Sequence, residues 1–88
     1  MIEEIRVIVT GQVQGVGFRA YVKRYAVEHH LKGYTRNLQN GSVEICAQGA
    51  KGSLLEFVKA LEKHPGKEQI EIDWKGVCIV YPSFEILF

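Results

Sequence analysis

The chain has 88 residues, 47% of them hydrophobic and 24% charged, with a formal net charge of +1. That length holds one domain, residues 1–88, and charges that nearly cancel argue against a general nucleic-acid or anionic-membrane binder, which carries a basic excess. No apolar run reaches the length of a membrane span, and Met1-Ile2-Glu3-Glu4 lacks the basic region and apolar core of a signal peptide, so a cytoplasmic protein is expected.

Ile5, Val7 and Val9 alternate with Arg6, Ile8 and Thr10 and predict a first strand. From Phe18 the period changes, because Phe18, Val22, Tyr25, Ala26 and His29 fall at helical spacing. Lys32 followed by Gly33 reads as a cation in the last turn and a left-handed stop. Tyr34 to Leu38 reads as a short second strand, and Val43, Ile45 and Ala47 as a third. Asn40-Gly41 between them is a hairpin signal, since both residues tolerate positive φ.

Ser53-Leu54-Leu55-Glu56 has the form of a capping box, and Leu54, Phe57, Val58 and Leu61 form one apolar stripe of a second helix. His64-Pro65-Gly66 ends it. Ile70, Ile72 and Trp74 alternate in a fourth strand, which Val77, Ile79 and Tyr81 are expected to continue across a bulge at Gly76. Pro82 breaks that run, and Phe84, Ile86 and Phe88 form a last short strand.

The order is β-α-β-β-α-β with an appended β. It fits an α+β, ferredoxin-like βαββαβ sandwich: an antiparallel sheet with both helices on one face and a short extra C-terminal strand. The first strand then lies between the third and the fourth. Cys46 and Cys78 would be separated by a strand, so both are expected as buried free thiols rather than a disulfide.

The richest segment is Gly11-Gln12-Val13-Gln14-Gly15-Val16-Gly17-Phe18-Arg19, between the first strand and the first helix. Glycines let successive N–H groups point into one concavity, and a helix start adds unpaired donors and partial positive charge. A guanidinium at the rim matches phosphate oxygens bidentately. Gly15 to Ala20 also matches the G-x-G-x-x-G/A dinucleotide fingerprint. The chain is too short for a doubly wound sheet, however, and Asn37 stands where that fold places an acid. No Gly-Lys-Ser/Thr follows, which excludes a Walker A loop. A Gly-x-Gly turn alone is often only a tight connection; the third glycine and the arginine shift the reading toward anion binding.

The segment GQVQGVGFRAYV resembles the signature loop of the acylphosphatase family, and GYTRNLQNGSVEICAQG resembles its second signature. The two occur in the family's order and at its usual separation. The resemblance implies that Gln14, Gly15, Val16, Gly17 and Phe18 cradle phosphoryl oxygens through backbone N–H groups. It puts Arg19 in the place of the catalytic arginine and Asn37 in that of the asparagine that positions the attacking water. The implied reaction is hydrolysis of a small acyl phosphate to a carboxylate and inorganic phosphate by a monomeric enzyme, with no metal, other cofactor or covalent intermediate. Two departures stand out: Gln12 replaces the usual arginine and Thr35 the frequent valine.

Two other readings compete. One is a non-catalytic ferredoxin-like module that keeps the phosphate cradle for anion binding or interaction. The other is an accessory domain, since acylphosphatase-like domains also head a larger carbamoyl-phosphate-using maturation protein of nickel-iron hydrogenases. Retention of Arg19 and Asn37 speaks against the first, and an 88-residue chain with its own termini against the second.

The remaining chemistry-bearing residues read as structural. His29 and His30 suit a helix C-terminus and have no third metal ligand nearby. His64 is expected at the surface, Lys23-Arg24 on a solvated helix face, and Phe57, Trp74, Tyr81 and Phe84 in the core. Arg36 is either a surface charge or an attraction for anionic substrate.

Overall fold

A computed structural model describes residues 1–15 and 17–87. Val16, expected in the cradle, and Phe88, expected in the last strand, lie outside the described residues. The elements are β1 (Glu3–Gly11), α1 (Phe18–Glu28), β2 (Lys32–Asn37), β3 (Val43–Gly49), α2 (Lys51–Glu62), β4 (Lys67–Lys75) and β5 (Phe84–Ile86). The strands form one five-stranded sheet in the order β4-β1-β3-β2-β5.

The period-2 pattern of β1 and β3 sorts the two faces of the sheet. Ile5, Val7 and Val9 pair with Ala47, Ile45 and Val43, and all six side chains point to the face that the helices cover. Phe18, Val22 and Ala26 of α1 and Leu54, Phe57, Val58 and Leu61 of α2 close the core over them. The ferredoxin-like α+β architecture therefore stands as the sequence predicted it. The sheet is mixed rather than purely antiparallel, because β5 runs parallel to β2 at the edge.

The chain reaches that edge by crossing the other face. β4 stops at Lys75, and residues 76–83 form an irregular strap instead of continuing the strand. β4 and β5 occupy opposite edges of the sheet, so a continued strand could not deliver β5. Gln48, buried on the back of β3, grips the strap through both ends of its amide. Its Nε2 donates to the carbonyl of Ile79 at 2.5 Å and its Oε1 accepts from the N–H of Tyr81 at 3.0 Å. With helices on one face and the strap on the other, β3 is buried from Val43 to Gln48 although it carries Glu44 and Gln48.

Further expectations change for physical reasons. Helix α1 ends before Lys32-Gly33, in a Schellman arrangement: His30 takes φ 59° and donates to Val27, and Leu31 donates to Ala26 at 2.8 Å. Gly33 serves β2 instead, because a Cβ there would run into the carbonyl of Cys46. Helix α2 starts at Lys51, with Ala50 as its N-cap and no side-chain capping bond. Ser53 and Glu56 are inside the helix, so the predicted capping box does not form. Trp74 is 47% exposed, since β4 is an edge strand whose far end the helices do not cover. Cys46 is buried, but Cys78 sits exposed on the strap, and the two free thiols line one cavity rather than lying apart. Burial, and then the carboxylate of Glu4, push the Cys46 thiol up to about 12.

On the back face the carboxylate of Glu44 accepts the Nε donors of both Arg6 and Arg36. Arg36 is thereby a paired charge on the side of the sheet away from the helices. Burial of Glu44 opposes ionisation, but the two guanidinium bonds together outweigh it and hold the carboxyl below its ordinary value. A depressed folded pKa stabilises the protein above the unfolded value, and the stabilisation is lost as pH falls through the folded one. Glu44→Gln is expected to lower the unfolding free energy at pH 7 by about 1–3 kcal/mol. That deficit should shrink as the pH drops below about 4, as read from urea midpoints across pH.

Thr35 gives an opposite prediction. Its side chain is fully buried, and among the described residues its Oγ1 has no hydrogen-bond partner. Thr35→Val keeps the shape and removes the stranded hydroxyl, so it should raise stability by about 1 kcal/mol in thermal or urea unfolding.

Candidate active site

β1 and β2 both run antiparallel to β3, so they run parallel to each other and end on the same side of the sheet. Val43 is the shared partner: it pairs with Val9 near the end of β1 and with Asn37 at the end of β2. Two strand spacings put Asn37 about 10 Å across the sheet from Val9, beside the loop that leaves β1. Helix α1 begins at this same end.

The loop is anchored at its start. The N–H of Gln12 donates to the carbonyl of Gly66 at 2.8 Å, which lays the segment against the turn between α2 and β4. Val13 is buried, while Gly15 and Gly17 take φ 76° and 78° with open space around the position of a Cβ. These two glycines answer to backbone conformation rather than to crowding. Gly17 is the N-cap of α1, and its carbonyl accepts from the N–H of Tyr21 at 3.0 Å. The N–H groups of the first turn precede that bond and face the loop, as at any helix start.

Phe18 and Arg19 then part company. The ring of Phe18 is in the core, 4.7 Å from the imidazole of His64, so only its backbone can serve the loop. His64, expected at the surface, thus packs edge-on beneath the helix start, and its Nδ1 accepts from the N–H of Gly66 at 3.2 Å. Arg19 points the other way and donates from Nη1 to the carbonyl of Leu87 at 2.8 Å. A cavity of about 320 Å³ opens here, lined by Gly15, Gly17, Phe18, Arg19, Ala20 and Ile86 among others. Among the described lining residues Arg19 carries the only charge.

The structure therefore gathers Gly15, Gly17, Phe18 and Arg19 around one cavity. Asn37 does not line it; it stands exposed at the end of β2. The side chain of Gln14 spans the interval, donating from Nε2 to the carbonyls of Leu38 at 2.9 Å and Ser42 at 2.8 Å. Two contributors had no signal in the sequence. One is that side-chain bridge. The other is the C-terminal segment, which the parallel pairing of β5 with β2 brings to Arg19, the N–H of Leu87 donating to Thr35 at 2.9 Å. Among the described residues no three His, Cys, Asp or Glu side chains gather as a metal site, and no helix is long and apolar enough to cross a membrane.

The described residues thus form a ferredoxin-like domain with a glycine-lined cavity at a helix start, one arginine at its wall and an asparagine at the end of β2. The acylphosphatase family model matches residues 5–86. An acylphosphatase of Bacillus licheniformis is 50% identical over 60 residues, 68% of this chain and 67% of that one. An acylphosphatase of Dehalococcoides mccartyi is 40% identical over 86 residues, covering 93% and 94% of the two chains. The crystal structure of acylphosphatase from Bacillus subtilis superposes with a TM-score of 0.93 at 34% identity, covering 100% of both chains. The chain belongs to the acylphosphatase family, and it is an enzyme of that class.

The left-handed N-cap is directly testable. Gly17→Ala meets no neighbour but must hold φ 78°, so it should cost about 1–2 kcal/mol of stability. A melting temperature that matches wild type would show that this turn relaxes freely.

Proposed function

We propose that the 88-residue chain hydrolyses acyl phosphates through this site, with Arg19 and the N–H groups of residues 14–18 holding the phosphoryl group and Asn37 orienting the water. The observation that carries the reading is the Arg19-lined cavity at the start of α1, beside the strand end that bears Asn37. Water attacks phosphorus, the bond from phosphorus to the acyl oxygen breaks, and the carboxylate leaves with the electron pair. A carboxylate is stable at neutral pH, so its departure needs no proton donor. The proton of the water passes to an oxygen of the phosphoryl group itself.

What remains is positioning and charge stabilisation, which dominate phosphoryl transfer. Backbone donors fixed by the left-handed glycines require no reorganisation as charge shifts toward the leaving oxygen. The guanidinium of Arg19, steadied by the carbonyl of Leu87, supplies the positive charge. Gly15 and Gly17 leave space open above the loop, where the acyl group can extend into solvent. This suits small carboxyl phosphates of varied acyl part.

We read the protein as a monomer acting on small molecules in the cytoplasm, independent of nucleic acid and membrane. Its near-neutral charge supports the last point, and the two free thiols, one of them exposed, suit a reducing compartment.

Benzoyl phosphate hydrolysis tests the assignment. Arg19→Ala and Asn37→Ala are each expected to lose at least about 100-fold in kcat/KM while remaining folded by circular dichroism. Inorganic phosphate should inhibit wild type competitively, and Arg19→Ala should weaken that inhibition. Wild-type turnover in either variant would remove that residue from the reaction.

A further inference from the structure

We infer that the side chain of Gln14 is a positioning residue for this reaction, setting the place of Asn37 relative to the phosphoryl cradle. The inference rests on the functional reading above.

Gln14 belongs to the loop by its backbone and to the hairpin by its side chain. A primary amide has two N–H donors, and both are used: one on the carbonyl of Leu38 at 2.9 Å, one on that of Ser42 at 2.8 Å. Those carbonyls also close the hairpin turn. Leu38 donates to Ser42 at 2.8 Å, and Gly41 donates to Leu38 at 3.2 Å. Ser42 is buried, and its N–H and hydroxyl are both held by the side chain of Asn40. The Gln14 amide is therefore fastened to a closed unit rather than to a loose loop.

Leu38 directly follows Asn37, so its carbonyl is two backbone torsions from the peptide that orients Asn37. Asn37 itself stands at the very end of β2, where the ladder gives it a partner only through Val43. Beyond that residue the bond from Leu38 to Ser42 carries the hairpin into its turn, and Gln14 fastens that turn to the loop. Because the brace starts inside the cradle, any drift of the hairpin changes the spacing between the water-orienting amide and the phosphoryl site. A misplacement of about 1 Å in such a geometry costs on the order of 100-fold in rate. A brace that acts in this way governs turnover more than phosphate affinity, which depends on the loop backbone and Arg19.

The test is Gln14→Met, which keeps the length and removes both donors, with Gln14→Asn, whose shorter amide cannot span the two carbonyls. Steady-state kinetics on benzoyl phosphate are read beside the inhibition constant of inorganic phosphate. For both variants kcat should fall about 10- to 100-fold, while phosphate inhibition changes less than about 3-fold. In an Asn37→Ala background, assayed at the high enzyme concentration its residual turnover requires, Gln14→Met should change kcat less than about 2-fold, because the group it positions is gone.

Unchanged kcat in Gln14→Met overturns the inference. So does a parallel loss of turnover and phosphate inhibition, which would make the side chain a support of the cradle alone. Undiminished loss in the Asn37→Ala background, or failure of both variants to fold, assigns the two bonds a purely structural role and overturns it equally. Wild-type turnover in Asn37→Ala by itself is the separate result that removes the functional reading, whatever Gln14 does.

Discussion

The site depends on one constraint of the sheet: β1 and β2 share β3 as an antiparallel partner. That shared pairing makes them parallel and ends both at the same edge of the core, with Val43 matched to Val9 on one side and Asn37 on the other. In this central position β3 is buried on both faces. Helices α1 and α2 cover Val43, Ile45 and Ala47, and the strap covers the opposite side. Burial of that kind strands polar groups unless each is matched. Gln48 is matched by the strap and by Glu4, and Glu44 by two arginines. The polar residues of β3 are thus part of how the sheet is closed.

The strap links this closure to the cavity at Arg19. By crossing the back of the sheet it delivers β5 to the free edge of β2, and the residue after β5 meets Arg19. The arginine is consequently held from two directions. Its backbone is in the first turn of a helix whose entry is set by Gly17 and by Phe18 packed on His64, and its head is against a carbonyl from the other end of the chain. The side chain is therefore oriented by contacts within the fold itself.

Much was legible in the sequence because it is encoded locally. Alternation in Ile5-Val7-Val9 and in Val43-Ile45-Ala47 identified the inner face, and helical spacing identified Phe18, Val22 and Ala26 beside Leu54, Phe57, Val58 and Leu61. Where local signals misled, a tertiary constraint had replaced them. The Ser53 capping box was unused because α2 starts directly after β3. Gly33 was needed for its closeness to Cys46, not to stop a helix. Val77, Ile79 and Tyr81 alternate as a strand would, yet the chain had to leave β4 and cross the sheet. Trp74 is a core type of residue at the uncovered far end of an edge strand.

By itself the sequence determined the order of elements, the apolar faces, and a glycine-rich loop and helix start capable of holding an anion. These follow from backbone conformation and side-chain period, which act over a few residues. Its resemblance to the acylphosphatases pointed to Arg19 and Asn37, but no local rule joins two residues on separate elements. Only the tertiary structure decided how Asn37 stands beside the loop, that Gln14 spans the interval, and that the far end of the chain meets Arg19. Those arrangements come from strand pairing and from hydrogen bonds between segments distant in the chain, whose partners exist only once the sheet has formed.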